Sequence, residues 1–254
     1  MYPNRYAANH FQKLCLTVFW ILGIASASIP IQAQDSSGNP AAMPQARLED
    51  ESWRQRHEAM NSRAKQGKVD LVFIGDSITR GWEGPGKEIW SKYYEKRNAL
   101  NLGIGGDQTQ HVLWRLDNGN LDGISPKLAV IMIGTNNAGK MTPQQVADGI
   151  QAIVERIRTK LPQTKILLLA ILPRGVDSND PMRLFNDEVN THIAAFDNGE
   201  SVSFLDIGSR FLAPDGTCGP GIRDDRLHLT TTGYAIWAEA IEPTVMNAMH
   251  EDCM

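Results

Sequence analysis

Short apolar runs alternate with longer amphipathic stretches along most of the 254-residue chain. The runs are VDLVFIG (69–75), ALNLGI (99–104), LAVIMIG (128–134), KILLLAIL (165–172) and VSFLDI (202–207). Three of them are apolar almost without a break, as strands buried on both faces of a parallel sheet must be. Between them, apolar residues recur at helical spacing over about 87–97, 107–117, 142–160 and 181–197, with a last such stretch at 230–249. Thr142, Pro143 and Gln145 have the order of an N-cap, a first-turn proline and a capping-box amide. Thr230 or Thr231 can cap the last helix. Residues 47–67, RLEDESWRQRHEAMNSRAKQG, read as an amphipathic lead-in helix with apolar positions Leu48, Trp53 and Met60, stopped by Gly67. The stretch 34–46 is small, polar and proline-containing, and reads as a linker or frayed arm. There is no internal repeat and no sign of a second domain. The alternation predicts a single α/β domain over 68–250, a doubly wound α/β/α sandwich on a parallel sheet.

Such sheets hold ligands beyond the carboxyl ends of their strands. The residues that follow the five runs are Asp76-Ser77, Gly105-Gly106-Asp107, Thr135-Asn136-Asn137, Pro173-Arg174 and Asp206. The first three groups form a polar, glycine-rich set that belongs on one rim.

Composition narrows the classes of function. Apolar residues make up 42% and charged residues 21% of the chain, and its formal charge is −4 with no basic block. Nucleic acid is therefore not an expected partner. The N-terminus departs from the rest. Arg5, His10 and Lys13 precede the apolar stretch Leu14–Ile24, and small residues follow up to Ala33. That order reads as a secretory signal over 1–33, cleaved after Ala27 or Ala33, with Ala33 preferred. The apolar stretch is short for a membrane span, so no stable membrane insertion is expected after cleavage. Loss of Arg5 and Lys13 would take the formal charge from −4 to −6. Of three cysteines, Cys15 leaves with the signal, and Cys218 and Cys253 remain to pair or not.

A serine hydroxyl becomes nucleophilic only when a base takes its proton. Of the histidines beyond the signal, His57 lies in the charged lead-in helix and His250 in the tail, while His111 and His192 fall inside expected helices. His228 lies in a loop, GIRDDRLHLTTTGY, just before the last helix, with Asp225 three residues earlier. That spacing lets a carboxylate reach the imidazole within one turn. Asp224 is open as an alternative, and Asp206 is read as a strand-end cap. An oxyanion needs donors. Ser77 can offer its backbone N–H, Gly106 another, and Asn136 its side-chain amide. Ile78, Thr135 and Leu227 adjoin these groups and are expected to wall a short acyl pocket. Asp76 is read as a brace for the turn and not as the acid.

Singly, each of these stretches is more often a turn or a surface pair than a catalytic element. GIGGD lacks the third glycine of a dinucleotide fingerprint. Trp82, Trp90, Trp114 and Trp237 read as packing. Four modest signals in order, all at one expected rim, are far harder to attribute to chance.

The same four stretches, FIGDSIT, NLGIGGD, GTNN and DRLH, resemble the blocks of the SGNH (GDSL-type) hydrolase superfamily. ALNLGIGGDQTQHVLWRLDNGNLDGISPKLAVIMIGTNN and LPRG closely resemble the platelet-activating factor acetylhydrolase catalytic-subunit-like esterases, over roughly 70–245. One departure is Asn137, where many members have Asp. The resemblance implies a flavodoxin-like five-stranded sheet and catalysis by Ser77, His228 and Asp225. It implies an oxyanion hole of Ser77, Gly106 and Asn136, no metal or other cofactor, short acyl esters as substrates, and a tendency to form a homodimer. With a signal peptide present, an exported acetylesterase acting on an acetylated carbohydrate is expected as readily as one acting on an acetyl-phospholipid-like ester. Two rivals are a noncatalytic binder of acylated glycans on the same fold, which has no need of a base beside the serine, and a nucleotide- or flavin-binding protein, which lacks a recognisable phosphate loop.

Overall fold

In a computed structural model, residues 38–250 are described. The expected signal, 1–33, and Cys253 lie outside the described residues. Five strands form one parallel sheet: β1 Leu71–Gly75, β2 Ala99–Gly103, β3 Leu128–Met132, β4 Lys165–Leu169 and β5 Val202–Leu205. Their order is β2-β1-β3-β4-β5, parallel throughout. The chain runs outward from β1 to β2 and then crosses to β3 on the other side of β1. This reversal opens a crevice at the carboxyl ends of β1 and β3, where such sheets place their ligands. Each strand is shorter than its apolar run, because residues such as Ile104, Ile133 and Ile171 leave the ladder to form the rim while staying buried.

Side chains of successive strand residues point to opposite faces, so each strand serves two cores. On one face Val72, Ile74, Ala129 and Ile131 pack with Trp53 of α1 (Glu51–Ala64), Leu113 of α4 (Thr109–Asp117), Ile150 of α5 (Pro143–Lys160) and Val189 of α6 (Pro181–Ile193). On the other, Leu71, Phe73, Val130 and Met132 pack with Trp237 and Ile241 of α7 (Thr231–Met249) and against the partly buried Trp90 of α3 (Lys87–Tyr93). This second core is aromatic. The Phe73 ring lies 4.8 Å from Tyr94 and that of Trp82 4.6 Å from Tyr234, centroid to centroid. Trp82 and Trp237 are fully buried, so both are packing residues.

Caps explain where the helices start. Thr142 Oγ1 accepts the Gln145 N–H (3.2 Å) and Gln145 Oε1 accepts the Thr142 N–H (2.9 Å), a reciprocal capping box. Thr230, not Thr231, caps α7 by accepting the Gly233 N–H at 3.2 Å. The Thr231 hydroxyl instead donates to the Pro85 carbonyl at 2.9 Å. The lead-in helix begins at Glu51 and not at residue 47, because Asp50 accepts the Trp53 N–H (3.1 Å) and ends the preceding turn. Leu48 therefore lies outside the helix and is exposed, contrary to its reading as part of an apolar stripe. The stretches expected at 87–97 and 181–197 close early, at Tyr93 and Ile193, each giving way to a short 3-10 turn.

Candidate active site

Ser77 is the first residue of α2 (Ser77–Arg80), reached directly from β1 through Gly75 and Asp76. A Cβ on Gly75 would collide with Thr79 Oγ1 and the Met132 carbonyl, so only glycine lets this short helix fold back onto the strand ends. Asp76 is the N-cap. Its Oδ1 accepts the Ile78 N–H at 2.9 Å, which is the brace expected of it. Burial pushes its carboxyl up to about 7, against the pull of that N–H.

His228 approaches from the loop before α7. The Ile222–Leu229 bridge pinches this loop, and the Arg223 N–H donates to the His228 carbonyl at 2.7 Å. Inside the pinch, Asp225 Oδ1 accepts the N–H groups of Leu227 (3.0 Å) and His228 (2.9 Å). Its Oδ2 lies 2.9 Å from His228 Nδ1, and His228 Nε2 lies 3.0 Å from Ser77 Oγ. Carboxylate, imidazole and hydroxyl thus form one continuous hydrogen-bonded series. Burial raises the Asp225 carboxyl, but the His228 N–H, the imidazole and the Leu227 N–H outweigh it and hold the group below the ordinary carboxylate range. Asp206 is elsewhere, with its Oδ1 accepting the Gly208 N–H at 2.7 Å.

Gly106 has a φ of +76°, a backbone conformation that favours glycine. Asn136 turns its side-chain amide toward the same loop, Nδ2 donating to the Asp107 carbonyl at 3.0 Å, and its backbone carbonyl accepts Gln108 Nε2 at 2.6 Å. An amide nitrogen carries two hydrogens, so this contact uses only one of them.

The expected acyl wall requires correction at Ile78 and Thr135. Ile78 and Thr135 are each only 2% exposed. The Ile78 carbonyl accepts the Tyr234 hydroxyl at 2.6 Å, and Thr135 Oγ1 lies 3.1 Å from Arg174 Nη1 and 3.3 Å from Asn186 Nδ2. Leu227 is half-buried against the aromatic core. None of the three lines the cleft of about 420 Å³ that contains Ser77 and His228. Arg80, Glu83, Pro85, Arg223, Leu229 and Tyr234 line it instead. The side chains of Ile78 and Thr135 are consumed by packing and by hydrogen bonds, which adjacency in sequence does not reveal.

Asp107 is the residue that sequence reasoning passed over. Its side chain is fully buried and accepts Arg115 Nε (2.8 Å), Trp53 Nε1 (2.7 Å) and Arg47 Nη1 (3.2 Å). Arg47 Nη1 also donates to the Gly105 carbonyl at 2.8 Å. An acid directly after a glycine pair, with an arginine eight residues on, is the available signal. His57, placed by its sequence in a charged helix, is buried, stacked on Trp53 at 5.5 Å and held by Asn61 and Asn120. His111 Nδ1 accepts the Gln108 N–H at 3.0 Å, and burial lowers its pKa to about 4. Among the described residues, no group of three or more His, Cys, Asp or Glu is placed to hold a metal ion.

The profile of the GDSL-like lipase/acylhydrolase family matches residues 73–236. A Rattus norvegicus protein, platelet-activating factor acetylhydrolase IB subunit alpha2, is 40% identical over 217 residues, covering 84% of this chain and 93% of the relative. The Homo sapiens subunit alpha1 is 38% identical over 218 residues, with the same coverage of 84% and 93%. Among solved structures, a GDSL-like lipase from Bacteroides thetaiotaomicron superposes with a TM-score of 0.59 at 22% identity, covering 76% of this chain and 97% of that one, a likeness of fold.

The buried Asp76 gives stability a defined pH dependence. Its carboxyl is held near pH 7 in the folded chain and titrates near about 4 when unfolded. Between those values the folded chain retains a proton that the unfolded chain has lost, so this group makes stability fall as pH rises. Urea unfolding of wild type and Asp76→Asn across that window should show wild type losing ground to the variant as pH increases. A difference that stays constant with pH would contradict the assignment.

Proposed function

The chain belongs to the GDSL-like lipase/acylhydrolase family and is a carboxylic ester hydrolase, and on that premise we propose that it is a serine esterase working through an acyl-enzyme on Ser77. The observation that carries the proposal is the series Asp225–His228–Ser77, with contacts of 2.9 and 3.0 Å. His228 Nε2 takes the Ser77 hydroxyl proton as Oγ attacks the ester carbonyl carbon. The oxygen that gains charge is received by the N–H groups of Ser77 and Gly106 and by the free amide hydrogen of Asn136. His228 then gives its proton to the departing alcohol oxygen. Water enters, loses a proton to His228 and releases the acid, restoring Ser77. Asp225 keeps the imidazole in the tautomer with hydrogen on Nδ1 and stabilises the imidazolium.

The acyl group is acetyl or similarly short. The relatives' name, acetylhydrolase, supports this at 40% identity. The alcohol half is a carbohydrate or a phospholipid-like glycerol. The N-terminal pattern supports export, which places acetylated carbohydrates within reach.

Ser77→Ala and His228→Ala should each lower kcat for p-nitrophenyl acetate by at least about 10³-fold with the unfolding midpoint little changed. Asp225→Asn should cost more than Asp206→Asn, and the reverse order would move the acid to Asp206. A fluorophosphonate should label Ser77, whereas a noncatalytic glycan binder would stay unlabelled. In a series of straight-chain esters the rate should be highest for acetate or propionate; a maximum at octanoate or beyond would refute the short acyl site. Expressed in a host with an export pathway, the chain should be recovered beginning at Gln34, and an intact Met1 on the exported protein would refute the cleavable signal.

A further inference from the structure

The cleft beside Ser77 carries more positive charge than the mechanism uses. Arg80 lies three residues after the serine, at the end of α2, and Arg223 lies five residues before His228. Both line the cleft that holds Ser77 and His228. Glu83 is the acid in that lining, and it is already neutralised from outside: Arg56 grips it with two hydrogen bonds of 2.8 and 2.7 Å while its Nε binds the Gly103 carbonyl at 2.6 Å. Among the described residues no acidic side chain pairs with Arg80 or Arg223. Two exposed guanidinium groups thus remain uncompensated in a chain whose formal charge is −4.

The cleft also has a defined place in the reaction. Gly106 and Asn136 do not line it, whereas His228 does. On the serine-esterase reading the carbonyl oxygen points away toward the proposed donors, and the substituent on the His228 side is the one that receives its proton, the alcohol. Arg80 reaches up to this boundary: a Cβ on Gly105 would sit 3.8 Å from Arg80 Nη1 and 3.9 Å from Ser77 Cβ. Tyr234 is a fixed wall, its hydroxyl committed to Ile78. The volume of about 420 Å³ is enough for a sugar ring or a glycerol headgroup.

We propose that Arg80 and Arg223 form a subsite for an anionic group (carboxylate, phosphate or sulfate) on the alcohol half of the ester. The proposal rests on the serine-esterase reading, since it takes the alcohol to lie on the His228 side. A guanidinium offers paired N–H donors that match the oxygens of all three anions, and it keeps its charge at any working pH. The subsite acts on binding, so its effect belongs in KM more than in kcat. The alcohol leaves with its anion intact; only the acyl–oxygen bond is broken.

The test uses phenyl acetates that carry a para carboxylate, a para phosphate monoester or a neutral para carboxamide, each rate divided by that of its hydroxide hydrolysis. Wild type should favour at least one anionic ester over the carboxamide by about tenfold in kcat/KM, mainly through KM, with the preference shrinking as salt rises. In Arg80→Gln/Arg223→Gln the anionic-to-neutral ratio should fall to about one, whatever the absolute rates. Which anion is preferred separates an acidic sugar from a phosphorylated glycerol. Equal use of all three esters by wild type, or a preference that survives in the double variant, would overturn the subsite and leave the esterase standing. Failure to cleave any of them, with no fluorophosphonate labelling, would bring down the esterase reading and the subsite together. If the double variant does not fold, the wild-type ratio and its salt dependence decide alone.

Discussion

The buried carboxylate of Asp107 is the joint on which the site hangs. A fully desolvated anion survives only with compensating donors, and this one has a guanidinium on one oxygen and an indole and a second guanidinium on the other. Removing one partner of such a pair typically costs about 3–5 kcal/mol, so the arrangement admits few alternatives. Through it α1, α4 and Arg47, in the segment just before α1, are tied to the loop after β2. The Asp107 carbonyl receives the Asn136 amide, which adds the loop after β3. Arg115 extends the network, binding Asn120 Oδ1 at 2.6 Å and approaching the Gly75 carbonyl at 3.4 Å, the residue two before Ser77. The proposed oxyanion donors on three different loops therefore share one anchor.

The two halves of the series beside the cleft are built differently. Ser77 is set by the core: Gly75 and Gly103 leave no room for a Cβ, because Thr79 and the Arg80 N–H occupy that space. The base is set locally. Asp225 and His228 sit in an exposed loop whose order comes from its own bridge and from N–H groups folded onto Asp225. On the proposed mechanism the nucleophile is held rigid by packing, while the general base depends on a turn. The tautomer is governed within a four-residue span and needs no distant partner.

That division explains what could be read along the chain. The strands were legible because burial on both faces leaves continuous apolar runs, and α5 was legible because its capping box is a local pattern. Asp225 and His228 were legible for the same reason, being three residues apart. Ser77, Gly106 and Asn136 were found through their common position at strand ends. Asp107, Arg47 and His57 escaped because their partners lie up to 63 residues away in sequence, with no period to betray them. The acyl wall failed on a related point. Ile78 and Thr135 adjoin the reactive groups along the chain, yet their side chains turn into the protein.

Two carboxylates lie close to Ser77 in sequence or in space, and their surroundings set them apart. Asp76 is adjacent in the chain, but it is buried with a single short N–H contact and with Asp107 adding to its burden, so it drifts toward the neutral form. Asp225 is 148 residues away, yet its open loop supplies two N–H groups and an imidazole, and it stays ionised. A neutral acid cannot stabilise an imidazolium, whereas an ionised one in contact with Nδ1 can. Asp76, the conspicuous acid next to Ser77 in the chain, is held as the cap of α2 by its contact with the Ile78 N–H. On the proposed mechanism the electrostatic role falls to Asp225, which the fold keeps charged and in contact with His228 Nδ1.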